Sequence, residues 1–254
     1  MTLKSKFKLI AEGVLLPFAI FWGITFIITL FYIVITANLK PNLIMLQGIS
    51  NIFCIIVLFP LYAWFLKKYS ISEPKFEVKN CFYLIAISFA ICIVGNILVD
   101  FIPKGEENKV TKEVMEMIEK YNVYVSILFV AVLIPIVEEL IFRGFFYETI
   151  KMIANDKFAI IITSIIFAIA HWDLRQGIYA FFAGIFLGYI KYKYRKLVYT
   201  IWMHLLMNFA SVVFVQHLPV DDIKEKLFIM FIGIAILFFS MYRINMKNEM
   251  EIGG

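Results

Sequence analysis

Two glutamates, two histidines, an asparagine and an arginine stand inside or at the edge of long apolar stretches of this chain. Hydrocarbon penalises such groups by about 2.5–3.5 kcal/mol for an Asp, Lys or Arg at the centre of a spanning helix, so a cluster of them is a candidate functional site. They fall into three short patterns: Val137-Glu138-Glu139-Leu140-Ile141-Phe142-Arg143-Gly144, Phe167-Ala168-Ile169-Ala170-His171-Trp172 and His204-Leu205-Leu206-Met207-Asn208.

In the first pattern the adjacent carboxylates point about 100° apart on a helix. Glu139 and Arg143 are i,i+4, the favoured order for an ion pair along a helix. That pairing keeps Glu139 ionised and leaves Glu138 free. A carboxylate in an apolar pocket is pushed towards neutral pKa, which suits a general base. The plainer alternative is a helix reaching the membrane interface, where charge is cheap. His171 ends an apolar helix, either as a functional group or as an interfacial residue beside the belt residue Trp172. His204 and Asn208 share one helix face, as a donor pair for a developing oxyanion or as an inter-helix hydrogen bond. His217 matches no pattern and reads as interfacial. Taken together the residues offer a base, an orienter and oxyanion donors, so a hydrolase is plausible; a transporter would also carry intramembrane charge.

The elements that must hold these groups are membrane helices. The chain has 254 residues, of which 62% are hydrophobic and 17% charged, against roughly 45–50% and about 25% in soluble domains. Uncharged runs span Gly13–Leu39 and Pro41–Leu66, and about 20 apolar residues cross a bilayer. This excludes a soluble globular enzyme, a disordered chain and a disulfide scaffold. Cys54, Cys81 and Cys92 lie in apolar segments without a C-x-x-C pair and read as buried small hydrophobes. The net charge of +5 is spread between the apolar runs and does not imply nucleic acid.

Eight apolar segments are expected, at roughly 13–36, 42–66, 80–99, 121–138, 158–172, 176–190, 197–218 and 227–242. The fifth, sixth and eighth are short for a span, so seven is an alternative count. The first follows Lys4, Lys6 and Lys8, is about twice a signal-peptide core and reads as a retained span. With the N-terminus cytoplasmic, 16 of the 24 basic residues fall in cytoplasmic segments, which puts both termini there. The other side collects Glu106, Glu107, Glu113, Glu116 and Glu119, then Asp221, Asp222 and Glu225, as solvated loops. The expected fold is an all-α polytopic membrane bundle of about eight transmembrane helices. It forms one membrane-embedded domain, 1–254, with a motif-bearing core at about 121–218. Gly184-Ile185-Phe186-Leu187-Gly188 would let a neighbouring helix approach closely, without requiring dimerisation.

Glu138, Glu139 and Arg143, then Phe167 and His171, then His204 and Asn208, in that order and on separate helices, resemble the motifs of the CPBP family of intramembrane proteases. These are the CAAX-processing and bacteriocin-processing enzymes, also called the Abi family. The resemblance covers about Leu133–Ser211. It implies an endopeptidase in which Glu138 activates water, His171 helps hold that water, and His204 and Asn208 stabilise the oxyanion, with Glu139 and Arg143 in support. It leaves metal open. Glu138, His171 and His204 could bind zinc, yet no His-Glu-x-x-His helix is present, and no cofactor is the expectation. It also leaves open a non-catalytic scaffold or regulator of the same family. A small transporter is disfavoured because no repeated halves are visible. The expected partners are the bilayer and peptide or membrane-protein substrates. The composition suggests the cell membrane of a low-GC bacterium, with leader peptides or bacteriocin or pheromone precursors as clients.

Overall fold

A computed structural model of the protein describes residues 2–37, 43–103, 123–213 and 222–252. Eight helical segments occur among them, one for each apolar run. They are α1 (Leu3–Thr36), α2 (Leu43–Lys68), α3 (Val78–Asp100), α4 (residues 123–153), α5 (Asp156–Ile169), α6 (Leu174–Tyr194), α7 (Leu197–Val213) and α8 (Ile223–Ile252). No strand occurs among the described residues. Stretches of α1, α2, α3, α4 and α8 are long and apolar enough to cross a membrane, and α7 is a shorter apolar helix. The eighth apolar run, expected to be short, is therefore part of a full-length spanning stretch, Ile223–Ile244. The protein is a polytopic helical bundle. Val34, Phe231 and Phe238 are 73%, 71% and 74% exposed, which marks the outer faces of α1 and α8 as lipid-facing. The acidic loop Glu106–Glu119, His217 and Asp221 lie outside the described residues.

Two features of the chain shape the centre. First, α4 does not stop at Glu138, where the uncharged run ends. It continues to Ile153, so the carboxylates sit mid-helix. The helix carries these charges inward with Glu139 and Arg143 paired one turn apart. Two wider, π-helical turns, Ile127–Leu133 and Leu140–Phe146, bracket a six-residue α stretch, Ile134–Glu139. Pro135 is the second residue of that stretch; it lacks an N–H and disrupts ordinary pairing with the preceding turn.

Second, α5 and α6 form a tight hairpin. Asn155 caps α5 by accepting the Phe158 N–H at 2.9 Å, and Asp173 caps α6 by accepting the Gln176 N–H at 2.7 Å, each cap contributing about 1 kcal/mol. Gly184 and Gly188 face Ser164 and Ile160. A Cβ on Gly184 would lie 3.0 Å from the Ser164 side chain and 3.1 Å from its Cα. The expected close approach is thus made within the chain. Cys54 and Cys92 are buried and Cys81 is partly so.

Candidate active site

The three patterns arrive from α4, α5 and α7. Glu139 is fully buried, as is Arg143. Arg143 Nη1 donates to Glu139 Oε1 at 2.9 Å, and its Nη2 donates to the Gly184 carbonyl at 3.2 Å. Gly184 exposes that carbonyl because it has no side chain to cover it. His204 Nδ1 donates to the same Glu139 oxygen, at 2.9 Å. His204 Nε2 then points towards Glu138, 3.7 Å from its Oε2. That separation suits an ion pair but is too long for a hydrogen bond. Glu138 keeps 26% of its side chain exposed while Glu139 keeps none. The adjacent carboxylates therefore have different surroundings. Glu139 is committed to two donors, and Glu138 remains free to meet a water or a substrate.

Phe167 fills the space between these groups and is 2% exposed. The Arg143 guanidinium lies over its ring at 4.6 Å. The His171 and His204 rings meet it edge-on, at 4.8 Å and 5.7 Å between centroids. Such contacts contribute about 0.5–2 kcal/mol each and fix the planes of both imidazoles. His171 Nδ1 donates to the Phe167 carbonyl, one turn back, at 2.8 Å, which leaves Nε2 as its accepting nitrogen. Asn208 Nδ2 donates to the Val130 carbonyl at 3.0 Å.

Among the described residues no group of three or more His, Cys, Asp or Glu is placed to hold a metal ion. Glu138, His171 and His204, the set the sequence offers for a cation, are not gathered into one.

A second buried charge cluster is built around a lysine that lies just past the sixth apolar run. Lys191, at the end of α6, is fully buried. Its Nζ lies 3.0 Å from Glu148 Oε1 and 3.3 Å from Glu73 Oε1. Tyr62 donates its hydroxyl to Glu73 Oε1 at 3.0 Å, and the Leu197 N–H reaches the same oxygen at 3.1 Å. This cluster ties the segment after α2 to α4, α6 and the start of α7. The available signal was helical continuity: no break separates Tyr189 from Lys191, so α6 carries the lysine inward.

Residues 120–210 match the family described as type II CAAX prenyl endopeptidase Rce1-like. A Bacillus subtilis (strain 168) protein named "Putative membrane peptidase YdiL" is 30% identical over 122 residues, which are 48% of this chain and 49% of that protein. The chain thus spans about half the length of this curated relative. No solved structure matches.

Proposed function

We propose, for a chain whose residues 120–210 match the Rce1-like family of CAAX endopeptidases, that it is a membrane endopeptidase acting by a glutamate-activated water. The observation that carries this reading is the division of labour between the adjacent carboxylates. Glu139 is buried between Arg143 and His204, whereas Glu138 is part-exposed and faces His204 Nε2.

Glu138 takes a proton from water as the water oxygen bonds to the scissile carbonyl carbon. The carbonyl oxygen becomes an oxyanion, met from α7 by the imidazole of His204. Collapse breaks the C–N bond, and the proton on Glu138 passes to the leaving amine. His171, with Nε2 as an acceptor, helps hold the water. In this reading every step is carried by the side chains themselves, with no metal invoked. The substrates are peptides or proteins that reach the bilayer, such as leader-bearing precursors or membrane proteins, at the membrane of a bacterial cell. Both termini face the cytoplasm. The test is cleavage of candidate precursor peptides by the purified protein beside Glu138→Ala. Cleavage by the wild type alone supports the reading, and no cleavage of any membrane peptide by either favours the scaffold alternative.

A further inference from the structure

In the first π turn of α4 each backbone N–H reaches five residues back, and the Ile134 N–H goes to the Phe129 carbonyl. The next donor in that register would be residue 135, reaching the Val130 carbonyl. Residue 135 is proline and has no N–H to give. The bond that Pro135 withholds is supplied from another helix, because Asn208 Nδ2 donates to that Val130 carbonyl. A carbonyl left without a donor in a water-poor interior is costly, so the replacement has a physical purpose. It also has a mechanical one. Asn208 and His204 lie one turn apart on α7. Through them α7 grips α4 on both sides of the Pro135 break, at Val130 and at Glu139. Glu138 sits inside that span, three residues after the proline.

We infer that Asn208 is a positioning residue: it completes the Pro135 break in α4 and thereby sets where Glu138 stands relative to His204. The inference rests on the peptidase reading for its effect on rate and moves the main contribution of Asn208 away from the oxyanion.

The test is a double-mutant cycle on the full chain in detergent, with Asn208→Leu, Pro135→Ala and both together. Each protein is measured for kcat and KM on a cleaved peptide and for its thermal unfolding midpoint. Pro135→Ser restores the same N–H and replaces Pro135→Ala if that protein does not accumulate. In the Pro135 background, Asn208→Leu is expected to lower kcat by about tenfold or more with KM nearly unchanged, and to lower the midpoint. With an N–H restored at 135, the same substitution is expected to lower kcat by less than about threefold and barely move the midpoint, since coupled residues are non-additive. An equal loss of kcat in both backgrounds would mean that Asn208 acts on the reacting atoms and would overturn the inference, as would a midpoint loss that is the same in both. If the wild type cleaves no peptide, the peptidase reading fails, and the midpoint cycle alone decides the inference.

Discussion

His204 Nδ1 and Glu139 Oε1 stand 2.9 Å apart and join α7 to α4 across 65 residues of sequence. The same oxygen accepts Arg143 Nη1 at 2.9 Å. One carboxylate oxygen therefore orients a guanidinium and an imidazole together. This arrangement turns the free nitrogen of His204 towards Glu138.

Removing either end of the buried Glu139–Arg143 pair leaves the other charge unpaired. Glu139→Gln and Arg143→Met should each destabilise the protein by about 3–5 kcal/mol. The double variant should lose less than the sum, because it buries no orphan charge. Thermal unfolding in detergent measures all three, and strict additivity would show that the pair is not coupled.

The two small residues of α6 differ in what surrounds them. A Cβ on Gly184 would lie 3.1 Å from the Ser164 Cα, whereas one on Gly188 would lie at an ordinary 3.4 Å from the Ile160 Cα and meet the Ile160 side chain first, Cγ2 at 3.1 Å. A side chain can shift where a backbone cannot. Gly184→Ala should cost about 1–3 kcal/mol and Gly188→Ala less. Gly184→Ala should also lower cleavage, since Arg143 bonds the Gly184 carbonyl. Equal midpoints for the two variants would contradict this packing.

Lys191 should be far less replaceable than its position at the end of a helix suggests. Lys191→Met leaves Glu148, which is 4% exposed, with only the longer Lys151 contact at 3.8 Å, and should cost about 3 kcal/mol. Glu73→Gln should cost less, because the Glu73 side chain is 17% exposed. Protein yield and unfolding midpoints read the order directly, and a near-neutral Lys191→Met would refute the clasp.

What was legible in the sequence was local or compositional. The apolar runs gave the bundle, since each must bury its backbone polarity in a helix. The Glu139–Arg143 contact followed from i,i+4 spacing. The three motifs suggested one site but not how its parts touch. Nothing in the sequence joins His204 to Glu139, because residues 65 apart meet only through the packing of α4 against α7. The length of α4 was hidden for a related reason. Charges at Glu138 and Glu139 look like an interface until Arg143 and His204 are seen to neutralise one of them inside. Lys191 was hidden because lysines flanking apolar runs are normally interfacial. The role given to Asn208 depends on a proline 73 residues earlier, and no spacing rule links the two.

A chelator should leave cleavage intact, and added zinc should not be needed. His204 Nδ1 is already committed to Glu139, and Glu138, His171 and His204 do not form a three-ligand set. Activity lost to chelation and restored by zinc, with metal retained stoichiometrically after purification, would replace the bare-glutamate mechanism with a metal one.

The central claim is that Glu138 is the base. Its most direct measurement is kcat of Glu138→Gln, purified in parallel with the wild type and matched for unfolding midpoint. The substitution keeps the size of a part-exposed side chain and removes only the oxygen charge that accepts a proton. The expected result is a fall in kcat of about 10²–10⁴-fold with the midpoint unchanged. Cleavage near the wild-type rate by a correctly folded Glu138→Gln protein would contradict the assignment.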